Sequence, residues 1–378
     1  MNEFKIPPVS TLAGSTLFNY FKVLRKGNIS PRFYWKLFLT ALIIIISTPF
    51  QLWEFYVYNR RIRKIRFKKP PVFILGHWRS GTTLLQNMLS KDPTIGFVTT
   101  YQSLFPNNLS SKWIFKTFMR INIPDKRPTD NVKLGVDLPQ EDEFALCNCQ
   151  SNAYYNFFYF PENYWEFFER AILHKGLSNK EIKTWFKKYD RLIKKALLNT
   201  GKDRVVIKNP VNTGRIDKLL KLYPDAKFLF IYRNPYTVFL STQKFFRQLF
   251  PTLWLHETSN EMIDEMIFKV YSGLMELYEK HKSLIPPGNL MEIRFEEFEI
   301  NPVEEIKRIY DELLKEDFNM VEPHIKKYAN VQKSYKKNRY SMDARTIEEI
   351  KNHWGKYIDA YNYSLPYDFK TEEEKHDT

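Results

Sequence analysis

Cysteine is nearly missing from this chain of 378 residues, which has only Cys147 and Cys149. Separated by one residue, the two are badly placed to bridge each other, and no histidine stands at the spacing of a zinc site. Free buried thiols in a reducing compartment are expected instead. Internal repeats and low-complexity tracts are also absent, which excludes a repeat array. No small-residue cleavage site follows the first apolar run, so no signal peptide is expected. The uninterrupted apolar stretch Leu37 to Phe50 falls short of the roughly 20 residues that cross a bilayer. Acidic residues are too few to balance the basic ones: the formal charge is +15. That suggests an anionic partner, whether nucleic acid, an acidic membrane surface or an anionic cofactor.

Apolar material is plentiful. Hydrophobic residues make up 43% and aromatics 16%, with 31 Phe and 23 Tyr. Phe33 to Val57 is almost wholly apolar, broken by Pro49, Gln51 and Glu54, and runs into Arg60, Arg61, Arg63, Lys64, Arg66, Lys68 and Lys69. An apolar segment followed by clustered cations suits a peripheral protein on an anionic cytoplasmic leaflet. A hairpin buried on the protein's own core and a single span are the alternatives. The expected location is cytoplasmic, at the inner face of a membrane.

Directly after the apolar run Pro71 to Leu75 comes Gly76-His77-Trp78-Arg79-Ser80-Gly81-Thr82-Thr83. A nucleotide triphosphatase would carry lysine where Thr82 stands. The glycines still permit a tight turn, and the amides of residues 80 to 83 can face an anion at a helix start. Arg79 adds a planar fork able to hold two anionic oxygens.

Beyond residue 70, strand-like runs alternate with helical ones. Val72 to Leu75, Arg204 to Ile207, Lys227 to Tyr232 and Leu290 to Phe295 read as strands of a parallel sheet. Thr82 to Ser90, Thr213 to Leu222 and Pro235 to Phe250 read as the helices that follow the first three. About 125 residues separate the first two runs, rich in aromatics and helical in pattern, as at Tyr164 to Ile172 and Lys180 to Leu198. Ligands of such α/β sheets bind at the carboxyl ends of the strands. There stand Lys208, in Lys208-Asn209-Pro210, and Arg233, in Arg233-Asn234-Pro235, with Ser241 about two turns into the next helix.

Taken together these motifs resemble the sulfotransferases that use 3′-phosphoadenosine 5′-phosphosulfate. The family's 5′-phosphosulfate loop matches Trp78-Arg79-Ser80-Gly81-Thr82-Thr83, with Trp78 in place of the usual proline. Its 3′-phosphate motif matches Arg233-Asn234-Pro235 through Ser241. Lys208-Asn209-Pro210 matches the turn of the carbohydrate and tyrosine branches, and the whole is nearest the broad bacterial, carbohydrate and tyrosine-type branch. The alternation of strands and helices implies a three-layer α/β fold with a central parallel sheet and a helical insertion at about 100–200. The apolar run with its basic cluster sets off an N-terminal helical, membrane-associating segment at 1–69, and a charged tail follows at 366–378. The resemblance adds that the fold is P-loop-like and that 70–365 form a sulfotransferase domain. It implies cofactor contacts from Arg79, Ser80, Gly81, Thr82, Thr83, Arg233, Ser241 and Lys336, the last from a basic loop near the C-terminus. Sulfuryl transfer builds charge on the leaving phosphate, which Arg79, Lys208 and the loop amides can offset, so no metal is expected.

The acceptor hydroxyl needs a base. The tyrosine-type branch keeps a glutamate shortly after the loop helix, but Thr99-Thr100-Tyr101-Gln102 has none. The cytosolic branch has a histidine two residues after the strand lysine, where this chain has Pro210. Glu141 is the first candidate, with Glu143 and His77 as others; the acids at 141–143 equally suit a helix N-terminus. The aromatics of Tyr154 to Phe160 and Tyr164 to Phe168 suit an apolar acceptor, a sterol or other lipid-like alcohol, and also stack on sugars. A carbohydrate or lipid head group is therefore the alternative acceptor. A P-loop kinase would need lysine at 82 and a magnesium-binding acid. A nucleic-acid or purely membrane-binding protein would need one basic face, whereas Arg79, Lys208 and Arg233 fall at successive strand ends.

Overall fold

The computed structural model describes residues 8–122, 134–332, 341–366 and 370–371. At its centre are five parallel strands: β1 (Val72–Leu75), β2 (Ile95–Gly96), β3 (Arg204–Lys208), β4 (Lys227–Tyr232) and β5 (Leu290–Arg294). Their spatial order is β2-β3-β1-β4-β5. The four strands read from sequence are present, and β2 is an addition. Only two residues long, it is below the reach of any periodicity.

Phe73, Leu75, Val205, Ile207, Phe228 and Phe230 belong to one apolar layer, while Val72, Ile74, Val206, Leu229 and Ile231 belong to the other. This alternation is the period-two pattern of strands, and burial on both faces is why the runs are apolar throughout.

The helices that surround the site are, in chain order, α1 (Leu17–Leu24), α2 (Tyr34–Lys64), α3 (Thr82–Leu89), α4 (Thr100–Leu104), α5 (Lys112–Asn122), α6 (Asp142–Cys149), α7 (Tyr164–Ala171), α8 (Asn179–Thr200), α9 (Ile216–Leu222), α10 (Pro235–Leu253) and α11 (Asn260–His281). The α8 start is a capping box: the Ser178 hydroxyl accepts from the Glu181 amide, and the Glu181 carboxylate accepts from the Ser178 amide. Gly201 in the left-handed region ends it. The run at Thr213 to Leu222 is less regular than its sequence suggests. Pro210–Gly214 forms a 3-10 turn and α9 starts only at Ile216, because Asn209 and Pro210 hold a tight turn at the strand end.

The N-terminal stretch is helical as expected, but it shares the main core. Leu12, Tyr20, Val23, Phe33, Leu37 and Ile44 lie in the same buried cluster as the sheet residues. Pro49 does not break the segment: α2 is one helix of 31 residues. It is fastened to the body by polar side chains. Lys195 forms a buried ion pair with Glu54 and donates to the Pro106 carbonyl at 2.6 Å, joining α2 to α8. Both cysteines are free, Cys147 buried and Cys149 half-buried.

Candidate active site

In the sheet β3 flanks β1 on one side and β4 on the other, with Ile74 opposite Lys208 and Leu75 opposite Phe230. Three carboxyl ends therefore stand side by side. The loop at 76–81 is in the middle, with Lys208 one strand away to one side and Arg233 one strand away to the other.

Two glycines shape that loop. A Cβ on Gly76, at φ +132°, would meet the Ile231 carbonyl oxygen at 2.3 Å, and one on Gly81, at φ +94°, would enter the Phe295 ring at 2.1 Å. Between them Arg79 adopts φ +68°, a left-handed conformation that costs a non-glycine residue on the order of 1 kcal/mol or more. Its surroundings hold it there. Arg79 Nε donates to Ser241 Oγ at 2.9 Å, and Arg233 Nη1 donates to the Arg79 carbonyl at 3.3 Å. The Arg233 guanidinium also lies 4.3 Å from the Phe295 ring centre. Gly81 precedes α3 without any side chain capping the first turn. The amides of Thr82 and Thr83 are thus available to an anion, with the helix dipole behind them. Arg79, Ser80, Gly81, Thr82, Thr83, Arg233 and Ser241 are brought together. Lys336 lies outside the described residues.

The strand ends after β3 and β4 use the same device. Asn209 Oδ1 accepts from the Val211 amide at 3.0 Å, and Asn234 Oδ1 accepts from the Tyr236 amide at 3.1 Å. In each case an asparagine before proline folds the chain sharply and leaves the preceding cation at the edge of the sheet.

The acids of 141–143 divide by position. Glu141 stands at the start of α6 yet does not cap it. One of its carboxylate oxygens pairs with Lys208 Nζ, and the other accepts from Tyr155 Oη at 2.5 Å. Tyr155 Oη in turn accepts from Trp78 Nε1 at 3.1 Å, so the network returns to the loop. Glu143 is wholly enclosed. It accepts from both Arg215 terminal nitrogens at 2.6 and 3.0 Å, from Asn209 Nδ2 at 2.9 Å and from the Tyr154 amide at 2.6 Å. With its oxygens engaged by four donors, Glu143 holds the site's frame and has no room for an acceptor. Asp142 is buried as well; burial first, and then the Glu143 carboxylate, push its carboxyl up to about 7.

His77 is buried beside Trp78 and Tyr271 of α11, and burial pulls its imidazole down to about 3. Its Nδ1 lies 3.0 Å from the Trp78 carbonyl, which makes Nδ1 the protonated nitrogen. A group so weakly basic is poorly matched to proton abstraction near neutrality. On α4, Gln102 is buried and donates to the Leu192 carbonyl at 3.1 Å, so that stretch supplies no base.

The aromatic string, which by composition suits either a core or an acceptor pocket, is core: Tyr154, Tyr155, Phe157 and Phe158 are buried. Phe157 and Phe158 meet Phe246 and Phe250 of α10 edge-on or tilted, and Phe168 of α7 meets Tyr154 edge-on. Large rings gain most when packed on one another, and the string is long enough to close over the strand ends. Half-buried Phe144 and Phe245 belong to the same cluster, the first against Tyr155 and the second 5.7 Å from the Arg79 guanidinium.

Sequence reasoning missed Tyr155, Asn209 and Arg215. Asn209 stands within Lys208-Asn209-Pro210, a motif that carries no sign of its partner Glu143. Tyr155 was hidden among equivalent aromatics. Arg215 had no signal at all, because its partner is 72 positions away.

An α/β sheet with an anion loop at its centre and cations at both neighbouring strand ends is suited to holding an anionic ligand. Residues 70–318 match the Sulfotransferase family, and the chain belongs to that family and is a sulfotransferase. It is 30% identical over 326 residues to omega-hydroxy-beta-dihydromenaquinone-9 sulfotransferase Stf3 of Mycobacterium bovis and of Mycobacterium tuberculosis, covering 86% of this chain and 83% of each relative. Among solved structures, sulfotransferase STF9 of Mycobacterium avium aligns with a TM-score of 0.69 over 93% of this chain and 91% of its own. STF1 of Mycobacterium tuberculosis aligns at 0.64 over 89% and 92%. Both are 14% identical to this chain and share its fold.

Replacing Glu143 by Ala leaves Arg215 buried without its partner, so chemical denaturation should show a loss of about 3–5 kcal/mol. Asp142 gives a pH signature. Its folded value lies above the ordinary carboxylate value, so the folded state binds the extra proton between about pH 4 and 7. Its contribution to stability is complete below that window and declines as pH rises through about 7. Asp142→Asn should remove that decline, on the order of 4 kcal/mol at most, in denaturation curves measured from pH 4 to 8.

Proposed function

We propose that this sulfotransferase takes its sulfuryl group from 3′-phosphoadenosine 5′-phosphosulfate and delivers it to the hydroxyl of a lipid-like alcohol, a class that includes sterols. The observation that carries the donor reading is the convergence of Arg79, Ser241 and Arg233 beside uncapped helix amides. Two anions fit this arrangement. The amides of Thr82 and Thr83 with Ser80 and Arg79 suit the 5′-phosphosulfate, while Arg233 and Ser241 suit the 3′-phosphate. Thr82 in the lysine slot disfavours a nucleoside triphosphate. For the acceptor, support comes from the relative Stf3, whose name specifies a hydroxylated menaquinone-derived lipid. The half-buried aromatics Phe144 and Phe245 beside the polar cluster agree with an apolar acceptor. A carbohydrate or a lipid head group is the competing acceptor class.

When bound, the donor supplies a sulfuryl group attached to a good phosphate leaving group. Glu141 receives the proton of the acceptor hydroxyl; each of its oxygens keeps a second lone pair beyond those used by Lys208 and Tyr155. Tyr155, itself held by Trp78, fixes the carboxylate's orientation. Lys208 provides positive charge between that carboxylate and the loop, where negative charge develops. Glu143 and Arg215 keep α6 in place, and with it Glu141.

Titration calorimetry with adenosine 3′,5′-bisphosphate tests the donor. Tight binding to wild type, weakened about 10- to 100-fold in Arg233→Ala and far exceeding that of ATP with magnesium, is the expected result. A preference for ATP, or no change on losing Arg233, would overturn it. Glu141→Gln should bind the bisphosphate as wild type does while kcat for labelled sulfuryl transfer to an isoprenoid alcohol falls about 10²-fold or more. An unchanged kcat would remove Glu141 as the base. Faster turnover of sugars would move the acceptor to carbohydrates.

A further inference from the structure

Helix α2 turns most of its large apolar side chains away from the body. The side it turns inward mixes Leu37, Ile44 and Ile62 with polar residues. Lys36 Nζ donates to the Thr252 carbonyl at 2.9 Å, and Thr40 Oγ1 accepts from the Ser10 amide at 2.9 Å. Gln51 Nε2 donates to the Ser15 carbonyl at 3.0 Å, and Glu54 accepts from the Ser110 amide at 2.9 Å while paired with Lys195. The side it turns outward is apolar and aromatic: Trp35, Phe38, Ile45, Ile46, Trp53 and Tyr56, from 52 to 72% exposed. Both sets recur at three- and four-residue spacing, so each occupies one continuous face. A soluble helix has the opposite arrangement. Its neighbours also expose large apolar residues. α5 packs on α2 through Phe115 against Phe50 and exposes Trp113 and Ile121. α1 is joined to α2 by Tyr20 Oη donating to the Leu37 carbonyl and exposes Phe18.

We propose that this face docks on an anionic lipid bilayer, with α2 lying in the plane of the interface. The helix is about 46 Å long by its rise per residue, enough to cross a bilayer. Its bonds to the body, however, run from Lys36 to Glu54, so spanning would strip four polar side chains of their partners. Charge selects the occupant. Arg60, Arg61, Arg63 and Lys64 continue α2, are exposed, and have no carboxylate partner among the described residues. Glu54 is the only acid on the helix and faces inward. The outward surface thus offers rings and alkyl groups to acyl chains and guanidinium groups to anionic head groups. A second copy would bring no carboxylate from its own α2 to meet those cations. Tyr and Trp on this face suit the boundary between head groups and acyl chains. No residue of α2 belongs to the anion loop or to the Glu141 cluster, so the inference stands apart from the choice of donor and acceptor.

Sedimentation of the full chain with phosphatidylcholine vesicles, with and without phosphatidylglycerol, tests it. Wild type should pellet with the anionic vesicles. Trp35→Gln, Ile46→Gln and Trp53→Gln combined should bind at least about 10-fold more weakly. Arg60→Gln, Arg61→Gln and Arg63→Gln combined should lose the preference for anionic over neutral vesicles and its salt dependence. Binding of adenosine 3′,5′-bisphosphate, measured on the same samples, should be unchanged in both variants if they are folded. Failure of wild type to pellet, or equal pelleting by wild type and the apolar variant, would overturn the proposal. So would a dimer in analytical ultracentrifugation that the apolar substitutions dissociate while no vesicle binding occurs, which would assign the face to a second copy.

Discussion

The buried carboxylate of Glu143 joins the parts on which the site depends. Arg215 grips it from the segment after β3 and also donates to the Ala171 carbonyl at the end of α7, through Nε at 3.1 Å and Nη2 at 3.0 Å. Asn209 reaches it from the turn beside Lys208, and the Tyr154 amide reaches it from the aromatic string. Donors from the connection after β3 and from the aromatic string thus meet on two oxygens of α6. A charge pair removed from water is costly to form, and it is tolerable here because both oxygens and the guanidinium are well supplied with partners. What it offers is position: two residues before Glu143, Glu141 is held against Lys208 and Tyr155.

A second constraint is the strand order. With β1 between β3 and β4, any anion held by the loop amides is flanked by cations from both sides. Parallel strands about 5 Å apart keep those groups within reach of one extended anionic ligand. The strained Arg79 conformation belongs to this arrangement, since Ser241 and Arg233 hold its side chain and carbonyl across strand ends. The site's cations are therefore positioned by backbone geometry more than by one another.

Outside the site, polar residues do work that apolar ones usually do. The α2 helix is oriented on the body by Lys36, Thr40, Gln51 and Glu54, each bonded, beside a few buried aliphatic residues, while most of its rings and aliphatic side chains look outward. Burying polar groups is acceptable when each finds a partner, and it fixes the rotation of the helix more sharply than apolar packing would. The packing of the aromatic insertion shows the converse. Tyr154 to Phe158 close over the sheet as core and leave Phe144 and Phe245 partly open near the polar cluster.

Sequence by itself determined the strands β1, β3, β4 and β5, the anion loop and its two cation-bearing neighbours. These rest on local patterns: apolar runs ending at glycine or proline turns, and motifs fixed within a few residues. It also placed the acidic triplet and put Glu141 first, without showing what each acid meets. Only the tertiary structure decided that Glu141 meets Lys208 and Tyr155, that Glu143 belongs to Arg215, and that His77 is enclosed. It likewise decided that α2 runs unbroken through Pro49 with its polar side inward. Those outcomes depend on contacts between residues tens to hundreds of positions apart, and on which face of each helix the body covers. Local periodicity shows that a helix has two faces, but which of them is buried is set by the partners that reach it.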